Sequence, residues 1–297
     1  TDVPTGQGFA NSFKMDCTTA NASPSAGNTL HISQRIEGQN LQMLKKGTSS
    51  AEATTLSFWV KSNKTGTYQV NLRDKDNTRI IGKTYTINSA DTWEKKILNF
   101  AGDTTGAFGN DNGNSLEVEW FLGAGSTYTG GAVPTAWEAE SAGDRAAGLT
   151  VNLADNTANE WYFTGVQLEV GEFDSTTIPS FPFESFDNNL RKCQRYYYER
   201  TADNTYGPGA QGMQIGSSNT MIQGYHPVRM RAAPSMSVSG TWNMEVGTTA
   251  VTWTCPSTRT STTAYSSEQS AGNSDGSAAM VYSNNNTASA IIGDAEL

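Results

Sequence analysis

Two pairs of carboxylates in this 297-residue chain stand two residues apart, Glu117 with Glu119 and Glu138 with Glu140. Glycan cleavage needs two acids about 5 to 9 Å apart on either side of a sugar bond. In a strand, Glu117 and Glu119 share one face at about 7 Å, a spacing that any solvent-facing sheet surface also produces. Glu138 and Glu140 lie beside Trp137, in a loop where a sugar could stack. For both pairs a solvated surface role is the simpler reading. No nucleotide-cradling glycine loop ends in Lys-Ser or Lys-Thr, no His-Glu pair is spaced for zinc, and there is no Gly-x-Ser-x-Gly elbow. Of the two histidines, His31 lies in the strand-like Thr29-Leu30-His31-Ile32 and His226 directly precedes Pro227; both read as structural. No catalytic residue is assigned, and the chain is not expected to be an enzyme.

Binding residues are better represented. A sugar ring presents an apolar C–H face that stacks on Trp or Tyr, while its hydroxyls need amides and carboxylates around the rim. Trp137 and Tyr128 sit in a long glycine-rich connection from Gly123 to Gly148, and long loops on a rigid scaffold are where binding concentrates. Trp59, on the outward side of its strand, is the third candidate, with burial at a subunit interface as its alternative. Asp74 and Asp76 begin like a calcium loop, but Thr78-Arg79 stands where acidic ligands and a glycine would be needed; a turn fits better. Asn110-Asp111-Asn112-Gly113-Asn114 is rich in oxygen ligands, so calcium near Asp111 is the one cofactor weighed, although such turns form without metal. Cys17, Cys193 and Cys255 are an odd number. They are read as reduced, with a Cys17–Cys193 bridge left open.

The elements that position these groups are strands. Charged residues make up 16% of the chain, below the ~25% usual for soluble domains, and Gly, Ser, Thr and Asn take their place. The net charge is 20 − 29 = −9, and no Lys/Arg block could track phosphates, so nucleic acid is not an expected partner. No run approaches the ~18–20 apolar residues of a membrane span, so no membrane insertion is expected. Nothing near Thr1 reads as a signal peptide.

Short alternating runs bounded by Gly, Asn, Asp and Ser recur along the chain. Leu56, Phe58 and Val60 point one way with Trp59 opposite; Tyr68, Val70 and Leu72 repeat the pattern, as do Val118, Trp120 and Leu122. Leu149, Val151 and Leu153 alternate too, and so do Tyr162, Thr164, Val166, Leu168 and Val170. About eight such strands make one antiparallel sandwich. Two prolines in Ile178-Pro179-Ser180-Phe181-Pro182-Phe183 mark a boundary. The segment from Phe186 to Cys193 reads as a short helix with Asp187 as its cap. Further strands follow at 195–200, 221–230, 235–242, 250–255, 279–283 and 288–292, with a polar loop over 257–277. The fold class is all-β: a sandwich domain over 1–183, a helical linker over 184–193, and a smaller β domain over 194–297.

Four segments carry a resemblance: Thr55-Leu56-Ser57-Phe58-Trp59-Val60-Lys61-Ser62, Gly66-Thr67-Tyr68, Asp91-Thr92-Trp93-Glu94 and Thr164-Gly165-Val166-Gln167-Leu168-Glu169-Val170-Gly171. Together they resemble the carbohydrate-binding-module-like jelly roll of bacteriophage tail-fibre and related virion proteins. Pro182-Phe183-Glu184, Cys193-Gln194-Arg195-Tyr196-Tyr197 and the stretch from His226 to Pro234 resemble the junction and C-terminal β domain of the same proteins. The resemblance implies an antiparallel jelly-roll sandwich followed by a smaller β-sandwich. It also implies a virion structural protein on the surface of the phage particle, with a homotrimer, other virion proteins and a host surface glycan as partners. Trp59 and Phe121 are outward apolar positions compatible with trimer contacts, although no coiled-coil heptads enforce them. The acidic ending from Asp294 to Leu297 looks like a natural C-terminus, and the missing initiator Met at Thr1 suggests a processed chain or the distal part of a longer one. Three alternatives stand beside a tail fibre or spike: a capsid decoration or head-fibre protein, a polysaccharide depolymerase using the glutamate pairs, and a secreted bacterial carbohydrate-binding module.

Overall fold

A computed structural model of the chain describes residues 2–216, 219–256, 258–273 and 276–296. Contacts divide it into two compact units, one ending at Pro182 and the other starting at Phe183, inside the proline-flanked segment. The architecture is nearly all β, built from antiparallel sheets. Among the described residues no helix is long and apolar enough to cross a membrane.

Among the described residues the first unit holds nine strands: β1 (Phe13–Asp16), β2 (Thr29–Glu37), β3 (Thr54–Ser62), β4 (Gly66–Asp74), β5 (Arg79–Ile87), β6 (Glu94–Phe100), β7 (Asn114–Ala124), β8 (Glu138–Ala139) and β9 (Glu160–Val170). β4 pairs with β5, β3 with β6, β2 with β7 and β1 with β9. Each pair encloses the previous one, as in a long hairpin rolled up so that successive pairs fall in alternate sheets. The resulting orders, β1-β9-β3-β6 and β2-β7-β4-β5-β8, are those of a jelly roll with β8 added at an edge. Alternation decides what lies between the sheets. Leu56, Phe58 and Val60, Tyr68, Val70 and Leu72, and Val118, Trp120 and Leu122 are all at most 2% exposed, as their spacing predicts.

On β9 the pattern differs from the expected one. Ser57 pairs with Gln167 but Trp59 with Thr164, so Gly165 and Val166 together face Phe58 in a bulge. The extra residue inverts the faces: Trp161 and Phe163 enter the core before the bulge and Leu168 after it. Tyr162, expected beside Leu168, is on the other side. Leu149, Val151 and Leu153 form no strand. Thr150 N–H meets the Thr67 carbonyl at 3.0 Å, and the chain then turns at Leu153–Asp155, where the Asn152 side chain accepts from the Ala154 N–H.

In the second unit, α2 (Phe186–Gln194) is capped by the Ser185 hydroxyl and not by Asp187, which sits in its first turn. Among the described residues ten strands follow: β10 (Tyr197–Thr201), β11 (Pro208–Ile215), β12 (Asn219–Tyr225), β13 (Ser235–Ser239), β14 (Trp242–Val246), β15 (Thr249–Thr252), β16 (Arg259–Thr260), β17 (Ala264–Gln269), β18 (Ala278–Ser283) and β19 (Ala290–Asp294). They form a three-stranded sheet, β10-β19-β13, and a seven-stranded one, β15-β14-β18-β11-β12-β17-β16. Trp242, Trp253, Met244, Val281 and Ile291 make the core. The run expected over 235–242 is two strands broken at Gly240, whose φ of +72° suits glycine. The polar stretch read as loop over 257–277 contains β16 and β17; its Ser257, Ser274 and Asp275, like Thr1, Ser217, Ser218 and Leu297, lie outside the described residues.

Candidate functional site

The face of the β2-β7-β4-β5-β8 sheet that points away from the core carries Gln69, Asn71 and Arg73 from β4 and Glu117, Glu119 and Phe121 from β7. All six are buried, because the glycine-rich connection is laid over them. Its first residues form α1 (Ser126–Thr129), a single turn. Amide side chains of the sheet then satisfy its backbone. Gln69 Nε2 donates to Asp144 O at 2.8 Å and Asn71 Nδ2 to Arg145 O at 2.7 Å, while Gly148 N–H donates to Gln69 Oε1 at 2.8 Å. Without these amides the buried backbone groups would lose their hydrogen bonds to water uncompensated. Close approach also requires glycine: a Cβ at Gly148 would lie 2.4 Å from Thr84 Cγ2 of β5.

This covering decides what the carboxylates can do. Arg73 Nη1 donates to Glu117 at 2.8 Å and to Glu119 at 2.7 Å, and its Nη2 donates to Glu140. Arg145 reaches Glu119 at 2.5 Å, and Arg35 approaches Glu117 at 3.7 Å. Three guanidinium groups thus face three carboxylates. Glu138 is exposed on β8, apart from this network, so the 138/140 pair does not act as a unit. None of these partners shows in local spacing, since Arg73 is 44 residues from Glu117.

The predicted binding residues fall in three separate places. Tyr128 tilts against Phe121 with ring centroids 6.4 Å apart, and Arg145 lies 5.3 Å from the Tyr128 ring and 5.4 Å from that of Phe121. His31 stacks on Phe121 at 5.1 Å. Burial holds the His31 pKa below its ordinary value against the nearby Glu119 charge. Phe121, read from the sequence as an outward apolar position, is fully buried under this column, and Tyr128, His31 and Arg145 are its partly exposed members. Trp137 donates its indole N–H to Ala101 O at 2.7 Å, and Lys46 Nζ lies 5.4 Å from its ring. The space beside it measures about 20 Å³, room for a single water. Trp59 is half-buried on the other sheet, between Lys95 of β6 and Thr164 of β9.

The remaining sequence candidates take structural positions. Asp111 Oδ1 accepts from the Gly113 N–H at 2.8 Å within its turn. Asp74 accepts from the N–H groups of Asp76 and Asn77 and closes the β4–β5 turn. Among the described residues no group of three or more His, Cys, Asp or Glu side chains converges as a metal site. All three cysteines are free thiols. Burial pushes the Cys255 thiol up to about 11 and holds His226 below its ordinary pKa.

No protein-family model matches this chain, and no curated protein does. Among solved structures it is similar to the crystal structure of PBSX exported protein XepA, at 10% identity over 95% of this chain and 85% of that one, with a TM-score of 0.21. A score that low carries no argument about fold or function.

Proposed function

We propose that this chain is a bacteriophage virion component, a tail-fibre or spike protein, that attaches to host surface glycans without catalysis. The observation that carries the reading is where the resembling segments fall. Thr55–Ser62 and the run from Thr164 are β3 and β9, paired at the centre of one sheet, and Glu94 opens β6 on the other side of β3. These three segments are thus neighbours in one sheet of the jelly roll, and Gly66-Thr67-Tyr68 opens β4 in the other, an arrangement that supports the reading. The absence of cutting chemistry is supported by Glu117, Glu119 and Glu140. Glu117 and Glu119 are paired with arginines beneath the covering segment, and Glu140 of that segment is tied to Arg73 through one oxygen, whereas a glycosidase keeps its acids open to the sugar bond. Attachment would come from several weak sites acting together on one homotrimer, where effective concentration raises avidity without a tight single site.

A structural decoration or head-fibre role is the second reading. It is favoured by the outer face of the seven-stranded sheet, where Met213 (53% exposed) pairs with Met221 and lies near Met280 (44% exposed). The test is adsorption. Purified chain added before phage should bind host surface glycan, reduce adsorption and leave the glycan uncut. Release of reducing ends, lost in Glu119→Gln, would replace this reading with a depolymerase. A chain that binds no glycan and associates only with other virion proteins would replace it with decoration.

A further inference from the structure

The second unit contains a cleft of about 430 Å³, within the range of small-molecule sites, about 300 to 1,000 Å³. β10 is an edge strand of the three-stranded sheet, and the cleft opens beside it. Tyr198 and Tyr265 are 5% and 3% exposed and line it from β10 and β17, while Tyr225 at the end of β12 is 77% exposed. Arg200, Asp203 and Gln194 complete the polar part of the lining.

We propose that this cleft binds one neutral pyranose unit of a glycan, an inference that rests on the attachment reading above and supplies its site. Tyr225 offers the exposed aromatic face that a pyranose C–H surface needs. Arg200 is held in place by donating to Gly209 O at 2.9 Å and Pro208 O at 3.4 Å. A guanidinium has five N–H groups, so donors remain for sugar hydroxyls. Asp203 takes the Thr201 hydroxyl on Oδ1 at 2.7 Å, and its second oxygen can accept from a sugar. The lining is also fixed in advance. His226 Nε2 lies 3.1 Å from the Ser261 carbonyl, which can only accept, so this nitrogen carries the proton; Nδ1 then accepts from the Tyr198 hydroxyl at 3.0 Å. A locked floor lowers the ordering cost of binding. Charge chooses the class of sugar. Glu199 and Asp203 outnumber Arg200 in the lining, so a carboxylated sugar meets net repulsion and a neutral one does not.

The experiment titrates the full chain with methyl glycosides of glucose, galactose and N-acetylglucosamine, and with methyl glucuronide, by saturation-transfer NMR and calorimetry. Host polysaccharide is tested in parallel. At least one neutral glycoside should bind more tightly than the glucuronide. Tyr225→Ala should weaken it by about tenfold, on the order of one aromatic contact, while Tyr128→Ala leaves it unchanged. Because Tyr225 is mostly exposed, its unfolding midpoint should not move, which separates lost binding from misfolding. Binding lost in Tyr128→Ala but kept in Tyr225→Ala would overturn the cleft and leave the attachment reading standing. So would capture of the polysaccharide with no neutral glycoside bound. Failure to bind either glycosides or polysaccharide would overturn both.

Discussion

Lys46 shows how much of this structure depends on single buried charges. Its side chain is 4% exposed, with Nζ 2.5 Å from Asp74 and 3.0 Å from Asp103, both carboxylates being at most 4% exposed. Nζ also donates to the carbonyls of Thr105 and Gly106, each at 2.8 Å. Arg79 Nε donates to the same Asp103 oxygen at 2.7 Å and its Nη2 to the other oxygen at 3.2 Å, so two cations neutralise two anions. Lys46→Met keeps the apolar stem and removes the charge, leaving Asp74 without its cation. The expected cost is about 3–5 kcal/mol, the usual result of breaking a buried pair, read as a lowered denaturation midpoint. Lys46→Arg should not restore stability, because a planar fork cannot replace a compact ammonium among four oxygens. A loss below about 1 kcal/mol would show that Asp74 is rehydrated at little cost and that the network behaves like a surface pair.

At the scale of elements, the β9 bulge sets which side chains enter the core. Gly165 holds φ at +61°, and a Cβ there would lie 2.4 Å from the Phe9 ring. Gly165→Ala is expected to cost about 1–2 kcal/mol for the left-handed backbone, with added strain where Phe9 must move. Full stability in the alanine variant would mean that the bulge can slide along β9. Bulges of this kind explain what the sequence does and does not disclose. β3, β4 and β7 are legible because one face meets the core throughout, and period-two alternation reports that directly. On β9 the period breaks inside the strand, so the same rule places Tyr162 on the wrong side. β17 is missed for another reason: its inward Ser267 is as polar as its neighbours, and no apolar alternation appears. The covering segment over Glu117 and Glu119 is legible as a long loop, but its docking depends on amides and arginines far away in sequence. The cleft is less visible still, since Tyr198, Tyr225 and Tyr265 come from three strands with no common motif.

For the whole molecule, the relevant fact is that each unit encloses its own core. One cluster is drawn from residues 41–161 and another from 202–291. Chains with separate cores commonly depart from two-state unfolding, so calorimetry should resolve two transitions. Leu72→Ala and Met244→Ala each truncate a side chain that is at most 1% exposed, at an expected cost of about 2–5 kcal/mol. Each should lower one transition and leave the other in place. A single transition lowered by both would show that the two cores unfold as one. With the transitions assigned, they become a way to locate the ligand without mutating its site. A glycan that binds only the folded state stabilises the unit that holds it, by about 2.7 kcal/mol at a hundred times its Kd. If the cleft beside β10 is the site, a neutral glycoside should raise the transition that Met244→Ala lowers. A rise in the Leu72-sensitive transition would instead place the sugar on the jelly roll, the unit that carries Tyr128, Trp137 and Trp59, and return the function to the unit that the sequence first points to.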